Sequence, residues 1–189
     1  SSDSIDLRFD DGIPVRYVRL KLFQEDTSAD LEKQLENLDS VAGLILDLRG
    51  NPGGLLQEAV RVSDLFLPPE KRIVATQTNT DLTSYNSHQL LSSPKILNIP
   101  IVVLVNGQSA SAAEIVSAAL KLNNRAIVVG EQTFGKGSVQ SIWGMPGDFG
   151  LKMTIARYLT PDNRSIEGIG VQPDLQLDPL YLSANDIHL

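Results

Sequence analysis

Two residues of this chain have a type and setting suited to covalent chemistry: Ser111, in NGQSASAAE (Asn106 to Glu114), and Lys136, held between Gly135 and Gly137. A serine hydroxyl at the start of a helix faces free N–H groups and the positive end of the helix dipole, which favour negative charge developing beside it. The S-x-x-E spacing of Ser111 and Glu114 is equally that of a capping box, and on pattern alone the cap is the preferred reading. A nucleophile elbow fails at Ser109, because Ser111 stands where G-x-S-x-G needs its last glycine. Ser109 is left as a fallback nucleophile. A lysine acts as a base near neutrality only if desolvation lowers its pKa by about 3 units from about 10.4. At Lys136 the flanking glycines allow close backbone approach and Phe134 could shield the amine. The alternative is a surface lysine, the default for the residue type.

Other chemistries are poorly supplied. The chain has no cysteine, which removes thiol nucleophiles, thiolate zinc sites and disulfides together. Of its two histidines, His88 falls in a polar stretch expected at the surface and His188 is penultimate, so a Ser/His/Asp triad is nearly excluded. Gly130 to Lys136 fits G-x-x-x-x-G-K, yet the next residue is Gly137 rather than Ser or Thr, and SVQSIWGMPG continues as a strand rather than a helix. A phosphate loop without its helix lacks the dipole that holds phosphate, so no nucleotide is expected. A net charge of -7, from 23 acidic and 16 basic residues, argues against nucleic acid. No metal and no cofactor is called for.

The elements that must position Ser111 and Lys136 alternate between strand and helix. Val15 to Phe23 reads as a strand, and Thr27 to Leu38 as an amphipathic helix with Leu31, Leu35 and Leu38 on one face and Thr27 or Ser28 as cap. Val41 to Leu48 is an apolar run of the kind that fills a strand buried on both faces. After the RGNPGG loop, Leu55 to Phe66 has a helical period with Leu56, Ala59, Val60, Ser63 and Phe66 inward. Ile73 to Thr78, Ile101 to Val105 and Ala126 to Val129 read as strands, Asn79 to Ser93 as a patternless excursion, and Ser111 to Leu122 as a helix. Ser138 to Trp143 and Leu151 to Leu159 read as paired strands joined around Met145 to Gly150. The pattern is that of one α/β domain with a largely parallel sheet, 189 residues long, 42% hydrophobic and with no apolar run long enough for a transmembrane segment. In such sheets sites lie beyond the carboxyl ends of the strands, where three glycine-bearing loops fall: Arg49 to Gly54, Asn106 to Ser111 and Gly130 to Gly137.

Four segments in order resemble the C-terminal processing peptidases, the tail-specific proteases of bacterial envelopes and photosynthetic lumens. They are DLRGNPGGLL (Asp47 to Leu56), VLVNGQSASAAEIV (Val103 to Val116), RAIVVGEQTFGKGSVQ (Arg125 to Gln140) and LTPDNRSIEGIGVQPD (Leu159 to Asp174). The resemblance implies a serine endopeptidase with Ser111 as nucleophile, Lys136 as base and Gln140 supporting the amine. It implies oxyanion donors at the backbone N–H of Ala112 and of Gly53, chosen over Gly54. The implied fold is the crotonase-like spiral of ββα units, shared with the ClpP protease subunits. It implies protein or peptide substrates with exposed C-terminal tails, and a location outside the cytoplasm. On this reading residues 1–12 are an extension or linker, 13–177 the protease core and 178–189 a tail. Leu122 stands where some members have an acid, so an Asp-assisted variant is not expected. No PDZ domain is visible, and the likeness of Gly168 to Val171 to a PDZ carboxylate loop is incidental. Two other functions remain open: a non-catalytic ligand-binding module on the same fold, and a crotonase-type acyl-CoA enzyme.

Overall fold

The computed structural model describes residues 2–8, 12–88, 96, 98–145 and 149–177. Its main sheet has six strands in the order β1-β2-β3-β6-β7-β10. They are β1 (Ser2–Arg8), β2 (Pro14–Leu20), β3 (Gly43–Asp47), β6 (Ile101–Val105), β7 (Ile127–Gly130) and β10 (Leu175–Gln176). All neighbours pair in parallel except β1, which runs antiparallel to β2. Residues 2–8, expected to be an extension, are therefore an edge strand of the sheet. The apolar run around β3 occupies the middle, as its unbroken Leu44, Ile45, Leu46 sequence requires of a strand covered on both faces.

A second sheet, order β5-β4-β9-β8, is antiparallel throughout: β4 (Arg72–Gln77), β5 (Leu82–Asn86), β8 (Ser138–Met145) and β9 (Phe149–Leu159). β5 lies inside the stretch read as patternless; its Leu82, Thr83 and Ser84 are exposed, so no apolar alternation marked it. The helices are α1 (Thr27–Gln34), α2 (Leu56–Asp64) and α3 (Ala112–Leu122), and α2 and α3 pack on one another and on β4. The core they enclose includes Leu44, Leu46, Val62, Phe66, Ile73, Val103, Val116 and Leu120.

Two details depart from the periodicity. The cap of α1 is Asp26 in the left-handed region rather than Thr27 or Ser28. The Ser28 N–H is instead taken by Glu58 Oε2 at 2.8 Å, from inside α2. Glu58 is thus buried although the periodicity did not place it inward; burial raises its pKa, but the Ser28 amide and the Arg61 guanidinium outweigh that and hold it below the usual range. His88 is exposed as expected, whereas His188 and the 178–189 tail lie outside the described residues.

Candidate active site

Because β2, β3, β6 and β7 are parallel neighbours, the loops following them stand side by side along one edge of the sheet. The loop after β3 carries Gly53, the loop after β6 leads to Ser111, and the loop after β7 carries Lys136.

The first loop is fixed from β3. Asp47, buried at the strand's end, accepts from the Tyr17 hydroxyl at 2.6 Å and from Arg49 Nε, Nη2 and N at 2.9, 2.8 and 2.9 Å. Burial pushes the Asp47 pKa up, but these bonds outweigh it and hold the carboxyl below the ordinary aspartate range. A group with a depressed folded-state pKa contributes stability that is present above its unfolded pKa and lost as pH falls through the folded one. Asp47→Asn should therefore cost on the order of 2 kcal/mol at pH 7, a deficit that closes on acidification below about pH 4. Urea unfolding of both proteins across pH 3 to 8 checks this; a gap independent of pH contradicts it.

Asn51, wholly buried, then ties the loop to its neighbours. Its Nδ2 donates to Leu20 O at 2.8 Å, its Oδ1 accepts the Gly53 N–H at 2.8 Å, and its carbonyl accepts the Ala110 N–H at 2.9 Å. At Gly53 (φ 105) a Cβ would lie 2.7 Å from Ser111 Cβ and 3.0 Å from Ala112 N, so only glycine lets this loop reach the serine.

Ser111 stands at the entry to α3 with φ 55 and ψ -112, a conformation rarely taken by a residue with a Cβ. Such strain costs roughly 1–3 kcal/mol and persists only where the surroundings impose it. The sequence motif of an elbow is absent, yet the backbone makes the strained turn that an elbow makes. Ser109, the fallback, is buried with its Oγ accepting Asn106 N–H at 3.0 Å and donating to Leu48 O at 2.8 Å, a structural role.

Glu114 joins the serine to the third loop. Fully buried, it accepts four hydrogen bonds: Thr133 Oγ1 at 2.5 Å and Gly135 N–H at 2.7 Å on Oε1, Ser111 N–H and Lys136 N–H, each at 2.8 Å, on Oε2. The Ser111 and Lys136 amides thus meet at one oxygen atom. The capping box that the spacing of Ser111 and Glu114 suggests is present, and Glu114 has the larger role of anchoring the Lys136 loop, which the spacing does not show. The signal was present in a charged residue set within AAEIVSAAL, a helix otherwise apolar and small on every side. The other side of the loop is packed by the segment read as a chance PDZ likeness: Gly168 N–H donates to Gly135 O at 2.9 Å, and Gly137 N–H to Glu167 Oε2 at 2.8 Å.

Removing this anchor should be costly. Glu114→Ala leaves four donors without their acceptor, a loss of about 3–5 kcal/mol in urea unfolding. Glu114→Gln places an NH2 against donors and should also lower turnover at least about tenfold with Ser111 and Lys136 intact. A Gln variant with wild-type midpoint and rate would show that the anchor is dispensable.

The side chains are less closely gathered than the backbones. Lys136 is exposed, and among the described residues no hydrogen bond joins it to Ser111 or to Gln140. Phe134 is 66% exposed and does not bury the amine; its N–H donates to Ser109 O at 3.0 Å. Gln140 lies on β8 beside a register shift at Val139/Gln140, exposed and on the strand that continues from Lys136. That strand also takes the place of the helix a phosphate loop would need. Ala112 opens α3, and its N–H is one of the first-turn amides that the helix itself does not use.

The sequence model of peptidase family S41 matches residues 14–177. This chain belongs to peptidase family S41. It is 41% identical over 173 residues to the carboxy-terminal-processing protease of Bartonella bacilliformis, covering 87% of this chain and 39% of that one. It is 40% identical over 163 residues to the chloroplastic carboxyl-terminal-processing peptidase 3 of Arabidopsis thaliana, covering 85% of this chain and 31% of that one. The solved structure of a photosystem II D1 C-terminal processing protease superposes with a TM-score of 0.84 at 33% identity, covering 94% of this chain and 48% of that one. The S41 chain described here thus spans less than half the length of these relatives, and its fold is the crotonase- and ClpP-like α/β fold with a largely parallel central sheet.

Proposed function

We propose that this S41 chain is the catalytic core of a serine endopeptidase that cleaves near protein C-termini through a Ser111/Lys136 dyad. The observation that carries the reading is the convergence of the Ser111 and Lys136 amides on Glu114 Oε2, beside a serine held at positive φ. In the reaction the Lys136 amine swings to Ser111, takes the Oγ proton as Oγ attacks the scissile carbonyl, and passes that proton to the leaving amine as the C–N bond breaks. Water then attacks the acyl ester, giving one proton to Lys136, which returns it to Ser111 Oγ as the acid leaves. Gln140 supports the neutral amine. The Ala112 N–H and the Gly53 N–H receive the oxyanion, the latter exchanging Asn51 Oδ1 for the developing charge.

The relatives' names support protein tails as substrates. Recognition of the tail falls to a further domain such as a PDZ domain, and the compartment is extracytoplasmic; among the described residues no helix is long and apolar enough to cross a membrane. Incubating an unstructured test protein with the wild type and with Lys136→Ala, then reading fragments by mass spectrometry, tests the reading. Fragments from the wild type alone are expected; none from either would leave the ligand-binding module, and binding of CoA would favour the acyl-CoA enzyme.

A further inference from the structure

Lys136 carries its amine on a backbone that two carboxylates hold from different elements. Glu114 of α3 takes the Gly135 and Lys136 amides, and the next amide, Gly137 N–H, donates to Glu167 Oε2 at 2.8 Å. Gly137 is buried, so its N–H needs an acceptor, and Glu167 supplies it. The two acids differ in setting: Glu114 is wholly buried, whereas Glu167 is exposed.

Glu167 is itself fixed relative to Ser111. It rides on the turn Ile166 to Gly170, closed by the Ile169 and Gly170 amides on Ile166 O at 3.1 and 2.9 Å. Ile166 and Val171, on either side of Glu167, pack with Ala118 of α3, the helix that Ser111 opens. The turn meets the Lys136 loop at three successive points: Val171 N–H on Thr133 Oγ1 at 2.7 Å, Gly168 N–H on Gly135 O at 2.9 Å, and Glu167 on the Gly137 amide. A Cβ at Gly137 would lie 2.6 Å from Glu167 N, so only glycine admits this approach. Among the described residues no hydrogen bond or ion pair holds the Lys136 amine itself, and the backbone sets where it can reach.

We propose that Glu167 is a positioning residue for the hydrolysis: by holding the Gly137 N–H, its carboxylate keeps Lys136 where the amine can reach Ser111 Oγ. This rests on the Ser111/Lys136 reading and adds to it a residue outside the dyad. The role belongs to an accepting oxygen and not to charge. Because the carboxylate is exposed, its loss should alter turnover far more than folding.

The test is kinetics on one peptide substrate, with urea unfolding alongside, for the intact protein, Glu167→Ala and Glu167→Gln, and for Glu167→Ala combined with Lys136→Ala. Glu167→Ala should lower kcat about tenfold or more, with KM within about twofold and the unfolding midpoint near that of the wild type. Glu167→Gln, which keeps an oxygen acceptor, should return kcat to within about threefold of the wild type. Added to Lys136→Ala, Glu167→Ala should cause no further loss, since it acts through that amine. Wild-type kcat in Glu167→Ala, a Gln variant as slow as the Ala variant, or an undiminished loss in the Lys136→Ala background would overturn the assignment. Wild-type protein with no Ser111-dependent cleavage would bring down the dyad reading itself, and the positioning role with it.

Discussion

Ser111→Ala should lower hydrolysis by roughly 10⁴-fold or more while leaving the fold in place, the combination that separates a nucleophile from a structural serine. The chemical half follows from the absence of a substitute: Ser109 is buried and bound on both sides, to Asn106 and to Leu48. The structural half follows because the contacts that impose the Ser111 backbone come from elsewhere. Glu114 holds its N–H, Asn51 holds the preceding amide, and Gly53 packs on its Cβ, all of which an alanine retains. At most the 0.5–2 kcal/mol or so of a lost cap is expected in urea unfolding. Equal turnover by variant and wild type would remove Ser111 from the mechanism; a variant that fails to fold would make it a structural residue.

Lys136→Arg should be as inactive as Lys136→Ala, each down by about 10³-fold or more, because the proposed role is basicity and not charge. A guanidinium keeps its proton at any pH the protein tolerates and cannot accept one from a serine. Neither substitution should unfold the protein, since Lys136 is exposed and its loop is held through its backbone N–H on Glu114. An Arg variant with near-wild-type activity would mean the site needs positive charge.

What the sequence made legible was whatever local pattern encodes. β3 and β6 could be read because an unbroken apolar run has one use in an α/β sheet, and the three glycine-bearing loops could be placed because breaks after such strands fall at the sheet's edge. β5 could not, since Leu82, Thr83, Ser84 and Asn86 are exposed and only Tyr85 packs against the core, which leaves no alternation. β1 could not either, because SDSIDLR offers only Ile5 and Leu7 against five polar neighbours and one exposed edge. Of the candidate site, Ser111 and Lys136 stood out by type and setting but took their roles only from the family resemblance, and the bonds that tie the Lys136 loop to Glu114 span more than twenty residues, with the lone charge in AAEIVSAAL as their one local sign. Glu114 reaches across to Gly135 and Lys136, and Asn51 reaches back to Leu20.

The central claim is that Ser111 Oγ is the activated nucleophile. Treating the intact protein with an active-site-directed sulfonyl fluoride or phosphonate, and locating the adduct by peptide mass mapping, tests it most directly. The account predicts one adduct per chain, on Ser111, lost in Ser111→Ala and much slowed in Lys136→Ala. An adduct on Ser109 or any other residue, or labelling of Ser111→Ala at the wild-type rate, would contradict it.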